Sequence, residues 1–209
     1  MRELLRLSSA VALLLALTGG ASAQEAPDDP WGLVDRVRRA LEDSSPLAAG
    51  FRQTYLPLGF SSGESESGRV ALHLPRCLRW EYLDPFPRTY LLCGDLLWAW
   101  NEGETVGRRQ QVGDEPGLDL LRLRAEALRG RYRAELAPAG EGRAEVRLAP
   151  LAPGALRDAT LTIDLEALRV IGLAYHDAEG NLTRFELDGF APLAADAELA
   201  PPQLEWLDQ

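Results

Sequence analysis

Leu74 to Trp100, LPRCLRWEYLDPFPRTYLLCGDLLWAW, holds three of the five tryptophans, both cysteines and two turn signals, Asp84-Pro85-Phe86-Pro87 and Gly94-Asp95. Read with period two, Leu78, Trp80 and Tyr82 form a row on a first strand, Tyr90 and Leu92 on a second, and Trp98 and Trp100 on a third. Pro and Gly at the connections supply the backbone angles of tight turns, so the spacing predicts two consecutive hairpins. On this reading the three rows share one aromatic face, and Cys77, Arg79, Glu81 and Arg88 occupy the other. Centring the first hairpin on Asp84 to Pro87 makes facing residue numbers sum to about 170, which sets Cys77 opposite Cys93. A slip of one residue would separate them, so a disulfide and two buried thiols are both open readings.

Upstream, Asp29-Pro30 reads as a helix start, Asp at the cap and Pro at the first helical position. Leu33, Val34, Val37, Ala40 and Leu41 follow at helical spacing, with Asp35, Arg36, Arg38, Arg39 and Glu42 on the other side, until Ser44-Ser45-Pro46. Such an amphipathic helix needs an apolar surface to lie on. From Phe51 the period changes to two, in Phe51, Gln53, Tyr55 and then Val70, Leu72, Leu74, with Gly59 to Gly68 as a connecting loop. Downstream, Thr105 to Val112 reads as a weakly marked strand. Pro116 to Arg129 reads as a second amphipathic helix, with Leu118, Leu121, Ala125 and Leu128 in line. Alternation then returns in Tyr132 to Leu136, Ala144 to Leu148, Leu161 to Leu165, Val170 to Tyr175 and Leu182 to Leu187. The tail near Pro201-Pro202 suits an edge strand. About ten short strands and two helices predict a single large curved antiparallel sheet whose concave face is covered by amphipathic helices, since a sheet this long coils. A two-sheet sandwich is the competing architecture.

The first residues, MRELLRLSSAVALLLALTGGASAQ, carry Arg2 and Arg6 before an apolar run and small residues at Ala21 and Ala23. This reads as a secretory signal peptide, residues 1–23, leaving 24–209 as one domain exported to the periplasm. Its removal takes Arg2, Glu3 and Arg6 and moves the formal charge from -10 to -11. An anionic chain of this kind is repelled by nucleic acid and by anionic membrane surfaces.

Nucleophile, P-loop, dinucleotide and metal motifs are absent from the sequence, as are CxxC and HExxH. His73 and His176 are the only histidines, and neither has partners near in sequence that would make a catalyst or metal site. The expectation is a binding protein with no catalytic residues, no metal and no cofactor.

Phe51-x-Gln53-Thr54, Gly68, Leu74-Pro75, then Leu78-Arg79-Trp80-Glu81-Tyr82-x-x-Pro85 and Gly94-x-x-Leu97-Trp98 together resemble the outer-membrane lipoprotein carrier protein family, LolA. Asp177 to Phe185 and Pro201-Pro202 resemble it too. The resemblance implies an incomplete β-barrel with a helical lid, a monomer that takes lipoproteins from an inner-membrane lipoprotein-releasing transporter to an outer-membrane acceptor. It implies an acyl-chain cavity lined by Phe51 and Tyr55 of one strand, Leu78, Trp80 and Tyr82 of another, then Tyr90, Leu92, Trp98 and Trp100. Leu118, Leu121 and Leu128 would close it from the second helix. Three positions depart from the family pattern. Its Arg before the Pro, which ties sheet to lid, is Leu74 here; its Gly after the Pro is Arg76; its Asp before the Gly is Cys93. Contact with the lid would then fall to Arg76 or Arg79, or to hydrophobic contact alone. Cargo would be lipoproteins or lipids, and the alternative role is a lipid- or lipoprotein-sensing module acting through a protein partner.

Overall fold

The computed structural model describes residues 29–112, 122, 124–194 and 199–208. The expected signal peptide, and Leu118 and Leu121 of the expected second helix, lie outside the described residues.

Alternation of apolar and polar side chains produces twelve strands among the described residues. They are β1 (Leu47–Leu56), β2 (Glu64–His73), β3 (Cys77–Asp84), β4 (Arg88–Cys93), β5 (Leu96–Asn101), β6 (Val106–Gln111), β7 (Tyr132–Pro138), β8 (Arg143–Pro150), β9 (Leu156–Asp164), β10 (Arg169–Asp177), β11 (Leu182–Pro192) and β12 (Glu205–Asp208). All join one sheet in the order β12-β6-β5-β4-β3-β2-β1-β11-β10-β9-β8-β7. Two antiparallel meanders, β1 to β6 and β7 to β11, meet where β1 pairs with β11, and β12 adds in parallel to β6. β12 and β7 are the two edges, so the sheet coils without closing. The expected loop at Gly59 to Gly68 is shorter than its composition suggested, because β2 already begins at Glu64.

Register sets which residues share the hollow. Leu78 faces Leu92 and Leu72, Trp80 faces Tyr90 and Val70, and Phe51 faces Gly68 and Leu187. Leu173 faces Phe185 and Leu161, and Leu161 faces Val146. These residues line the concave side from β4 to β8.

Helix α1 (Pro30–Asp43) starts where expected: the Asp29 carboxylate accepts hydrogen bonds from the Trp31 and Gly32 N–H groups at 3.1 and 3.0 Å. Its buried face, Leu33, Val34, Val37 and Leu41, packs with Val146, Leu148, Leu161 and Ile163. Burying four such side chains is worth, in gross terms, on the order of 6–12 kcal/mol. This packing seats α1 over the β7–β10 half of the sheet. A short helix α2 (Ala125–Arg129) lies beside it, with Arg122 also helical. Ala125 and Leu128 are buried in the same core. Among the described residues the helices cover the β7–β10 half of the hollow; residues 116–121 of the expected second helix lie outside the described residues.

Candidate functional site

The other half of the concave face carries an apolar trough. Its inner end, against α1, is a cavity of about 80 Å³ lined by Leu41, Val70, Leu72, Leu74, Leu78, Trp80, Leu161, Leu173, Phe185 and Phe190, with Arg38 and Arg122 also at its wall. Next along the sheet is a space of about 210 Å³ lined by Leu78, Trp80, Tyr82, Tyr90, Leu92, Leu97 and Phe185. Leu78, Trp80 and Phe185 border both, so the two are adjacent. Tyr90 then borders a wider, more polar groove of about 660 Å³ that runs past Arg88, Ala99, Asn101, Val106 and Arg108 to Leu207 on β12. The trough thus passes from an oily end to a wet end.

Its floor is an aromatic cluster. The Phe51 ring lies 4.8 Å from Trp80, 5.1 Å from Tyr82 and 6.2 Å from Phe185, and Trp80 meets Phe185 edge-on at 5.4 Å. Tyr82 and Tyr90 make a further T-shaped pair at 6.1 Å. These offset and edge contacts are the favourable geometries for ring quadrupoles. The Trp80 indole N–H is buried without a hydrogen-bond partner.

A polar network marks where the oily stretch ends. Tyr82 donates its hydroxyl to Gln53 Oε1, and Arg88 lies over the Tyr82 ring with its guanidinium carbon 3.8 Å from the centroid. Arg88 also forms a two-point pair with Glu66 at 2.6 and 2.9 Å. Burial pushes the Tyr82 hydroxyl up to about 12, and the hydrogen bond to Glu66 holds Arg88 still further above its already high range. With Arg88 paired, the network adds no net charge to the trough.

Several sequence expectations need correction. Trp98 and Trp100 lie on the convex face: the β4–β5 loop has two residues, Cys93 faces Leu96, and Tyr90 therefore faces Ala99. A two-residue loop makes paired residue numbers sum to an odd value, so even-numbered residues of β4 share a side with odd-numbered residues of β5. Trp100 instead meets Trp206 of β12 edge-on at 6.0 Å, over Gly107, where a Cβ would come within 2.3 Å of the Trp206 ring. Arg88 belongs to the concave side, opposite Tyr82. Arg79 faces outward, paired with Glu81 and 5.9 Å from the Trp100 ring centre, and among the described residues these are its neighbours in place of a lid. Arg76 is an exposed turn residue whose guanidinium meets His73 Nε2, its partner among the described residues. Leu128 is buried in the core cluster that includes the apolar face of α1. Tyr55 shares the concave face but lies past the trough, opposite Glu64 and Thr183.

Phe51, Leu78, Trp80, Tyr82, Tyr90 and Leu92 come together as a floor. Phe185, Leu173 and Phe190 complete it from β10 and β11; their alternation is plain in the sequence, but which strands neighbour β1 is not. At Leu74, the Ser45 hydroxyl accepts from the Leu74 N–H at 2.9 Å and donates to the Leu72 carbonyl at 3.1 Å. The end of α1 is thereby tied to β2 through backbone. A second tie comes from Arg122, which bonds the Gly94 carbonyl and reaches Asp95 at 3.4 Å. Cys77 and Cys93 face each other with Cα atoms 4.2 Å apart and are joined as a disulfide. His73 faces the convex side, and His176 Nδ1 lies 2.7 Å from Asp158. Among the described residues no group of three or more His, Cys, Asp or Glu is placed to hold a metal.

The outer-membrane lipoprotein carrier protein of Xanthomonas oryzae pv. oryzae (strain MAFF 311018) is 30% identical over 129 residues, covering 61% of this chain and 57% of the relative. That of Dechloromonas aromatica (strain RCB) is 31% identical over 93 residues, 43% of this chain and 45% of the relative. The chain thus spans about half the length of these curated relatives. Among solved structures, an uncharacterized conserved protein from Thermus thermophilus superposes with TM-score 0.54 at 15% identity, over 85% of this chain and 98% of that one. The Pseudomonas aeruginosa MucA/MucB complex gives 0.51 at 13% identity, over 83% and 61%. At such identities the likeness concerns the open, coiled sheet alone. The family model described as outer membrane lipoprotein carrier protein LolA matches residues 42–199, most of the chain, and with the aromatic concave sheet that accompanies this match, the chain belongs to the LolA family.

Proposed function

We propose that this protein is a periplasmic carrier that shelters the acyl chains of lipoproteins or lipids while they cross from the inner membrane toward the outer membrane. One observation carries the reading: beyond the end of α1 lies an apolar trough floored by Phe51, Trp80, Tyr82 and Phe185, which no side chain among the described residues fills. An acyl chain costs roughly 0.8 kcal/mol per methylene to leave in water, so a lipidated cargo cannot make that crossing bare. The trough offers area with few directional bonds, which holds chains of varied length and lets them go. Its two oily stretches are each below the roughly 300 Å³ of an ordinary ligand pocket. A loaded chain therefore extends along both and into the wider groove, or pushes its walls apart.

In this reading the domain follows a cleaved signal peptide, acts as a monomer without catalysis, receives cargo from an inner-membrane lipoprotein-releasing transporter and yields it to an outer-membrane acceptor. Native mass spectrometry of the exported protein, purified without detergent, tests it. Retained mass matching acyl-bearing molecules supports the carrier role; a bare polypeptide mass, unchanged after incubation with a synthetic lipopeptide, rejects it.

A further inference from the structure

The turns at one end of the sheet present large apolar side chains to solvent. Leu58 and Phe60, in the β1–β2 loop, are 65% and 68% exposed, and Phe86, in the β3–β4 turn, is 71% exposed. Leu83 beside that turn and Leu151 in the β8–β9 connection, at the same end of the sheet, are also exposed. The β1–β2 and β3–β4 connections join neighbouring strand pairs, so their centres lie two strand spacings, about 10 Å, apart. Tight turns ordinarily carry Gly, Asn, Asp and Ser. Several large apolar tips on one rim are costly in water unless something covers them.

Both turns are held in shape by polar ties that leave those side chains outside. The Leu58 N–H donates to Asn181 Oδ1 at 3.0 Å, and Asn181 is itself held to Asp177 through its backbone N–H and its side-chain amide, both at 2.8 Å. The Phe60 N–H bonds the Pro57 carbonyl at 3.1 Å. At the neighbouring turn, Arg88 reaches the Phe86 carbonyl at 3.3 Å while paired with Glu66, and the Glu102 N–H bonds the Pro87 carbonyl at 3.3 Å. Asp177 and Asn181 thus present the β1–β2 tip, on the far side of β11.

We infer that this rim, through Leu58, Phe60 and Phe86, inserts shallowly into a lipid bilayer surface. Three observations favour a bilayer over a protein partner. The tips stand on separate turns as discrete wedges, the form that suits shallow insertion between lipid headgroups. The chain carries a formal charge of -10, so adhesion to an anionic surface cannot be electrostatic and must come from apolar insertion. The same rim bounds the wide end of the trough, whose lining includes Arg88, Asn101, Gly103 and Glu104. A bilayer touching the tips would therefore face the trough's mouth. This inference rests on the carrier reading for its purpose, though not for its geometry.

The test is flotation of the purified exported chain with zwitterionic phosphatidylcholine vesicles, with cargo retention read in parallel by native mass spectrometry. The wild type should float with the vesicles and continue to do so as salt is raised. The double variant Phe60→Ser/Phe86→Ser should bind roughly tenfold more weakly or worse, as expected for losing two partly inserted rings, with unchanged melting temperature and unchanged acyl mass. A wild type that stays in the aqueous fraction, a double variant that floats equally well, or binding that disappears at high salt would overturn the inference. A chain that retains acyl mass but ignores vesicles sinks the membrane rim and leaves the carrier role standing, with the tips then assigned to a protein. A chain that floats without acyl mass does the reverse.

Discussion

The Phe51 ring packs 4.8 Å from Trp80 over the backbone of Gly68, where a Cβ would sit 2.8 Å from Phe51 Cε1 and 1.8 Å from the Glu81 carbonyl oxygen. Gly68 is the residue that lets β2 pass beneath the aromatic floor. Gly68→Ala should therefore force the floor apart and lower stability by about 1–3 kcal/mol, read as a reduced urea midpoint. A midpoint equal to wild type would mean the ring does not rest there.

Face assignment makes a paired prediction. Trp80→Glu places a carboxylate in the oily stretch and should abolish acyl retention, while Trp98→Ala, on the convex side, should leave retained mass unchanged. The comparison is read by native mass spectrometry, with thermal melts to confirm that both variants are folded. Equal loss in the two variants would refute the parity argument drawn from the Gly94–Asp95 loop.

Tyr82 should titrate late. Burial raises its hydroxyl to about 12, above the ordinary value of 10.0, although the nearby Arg88 acts in the other direction. The folded state thus keeps the proton longer than the unfolded chain does. Its contribution to stability is complete below the unfolded value and is lost as pH rises from there through about 12. Tyrosinate absorbance should show a late-ionising step, and Tyr82→Phe should remove it. A late step that persists in the variant assigns the shift to another ring.

The Cys77–Cys93 bridge closes a loop of sequence separation 16 at the foot of the β3–β4 hairpin. For a loop of this size, constraint of the unfolded chain contributes about 3 kcal/mol. The double replacement Cys77→Ser/Cys93→Ser should lose on that order in equilibrium urea unfolding. It should keep the Trp80–Tyr90 pairing and hence acyl retention, because those residues face the other side. Loss of cargo at full stability would contradict this separation of roles.

Much of the architecture is written locally. Asp29-Pro30 specifies the start of α1 through capping, alternating rows mark the strands, and the span from Asp84 to Pro87 sets the register that brings Cys77 to Cys93. The two-residue length of Gly94-Asp95 even carries the information that sends Trp98 and Trp100 outward, since an odd register sum reverses parity across that hairpin. What sequence periodicity could not supply is adjacency between distant elements. Phe185 and Leu187 reach the trough because β11 pairs with β1 across more than a hundred residues, and no local pattern encodes that closure.

The seat of α1 is likewise a tertiary outcome. An amphipathic stripe says only that Leu33, Val37 and Leu41 must be buried, and rows on every strand from β1 to β11 could have met it. Packing chose the β7–β10 rows, where Val146, Leu161 and Ile163 complete the core. Among the described residues, the aromatic rows of β3 and β4 keep space above them. Local chemistry thus determined which faces are oily. The mutual fit of side chains far apart in sequence decided which oily face is filled and which stays hollow, because that choice depends on shape complementarity between elements and on no property of either alone.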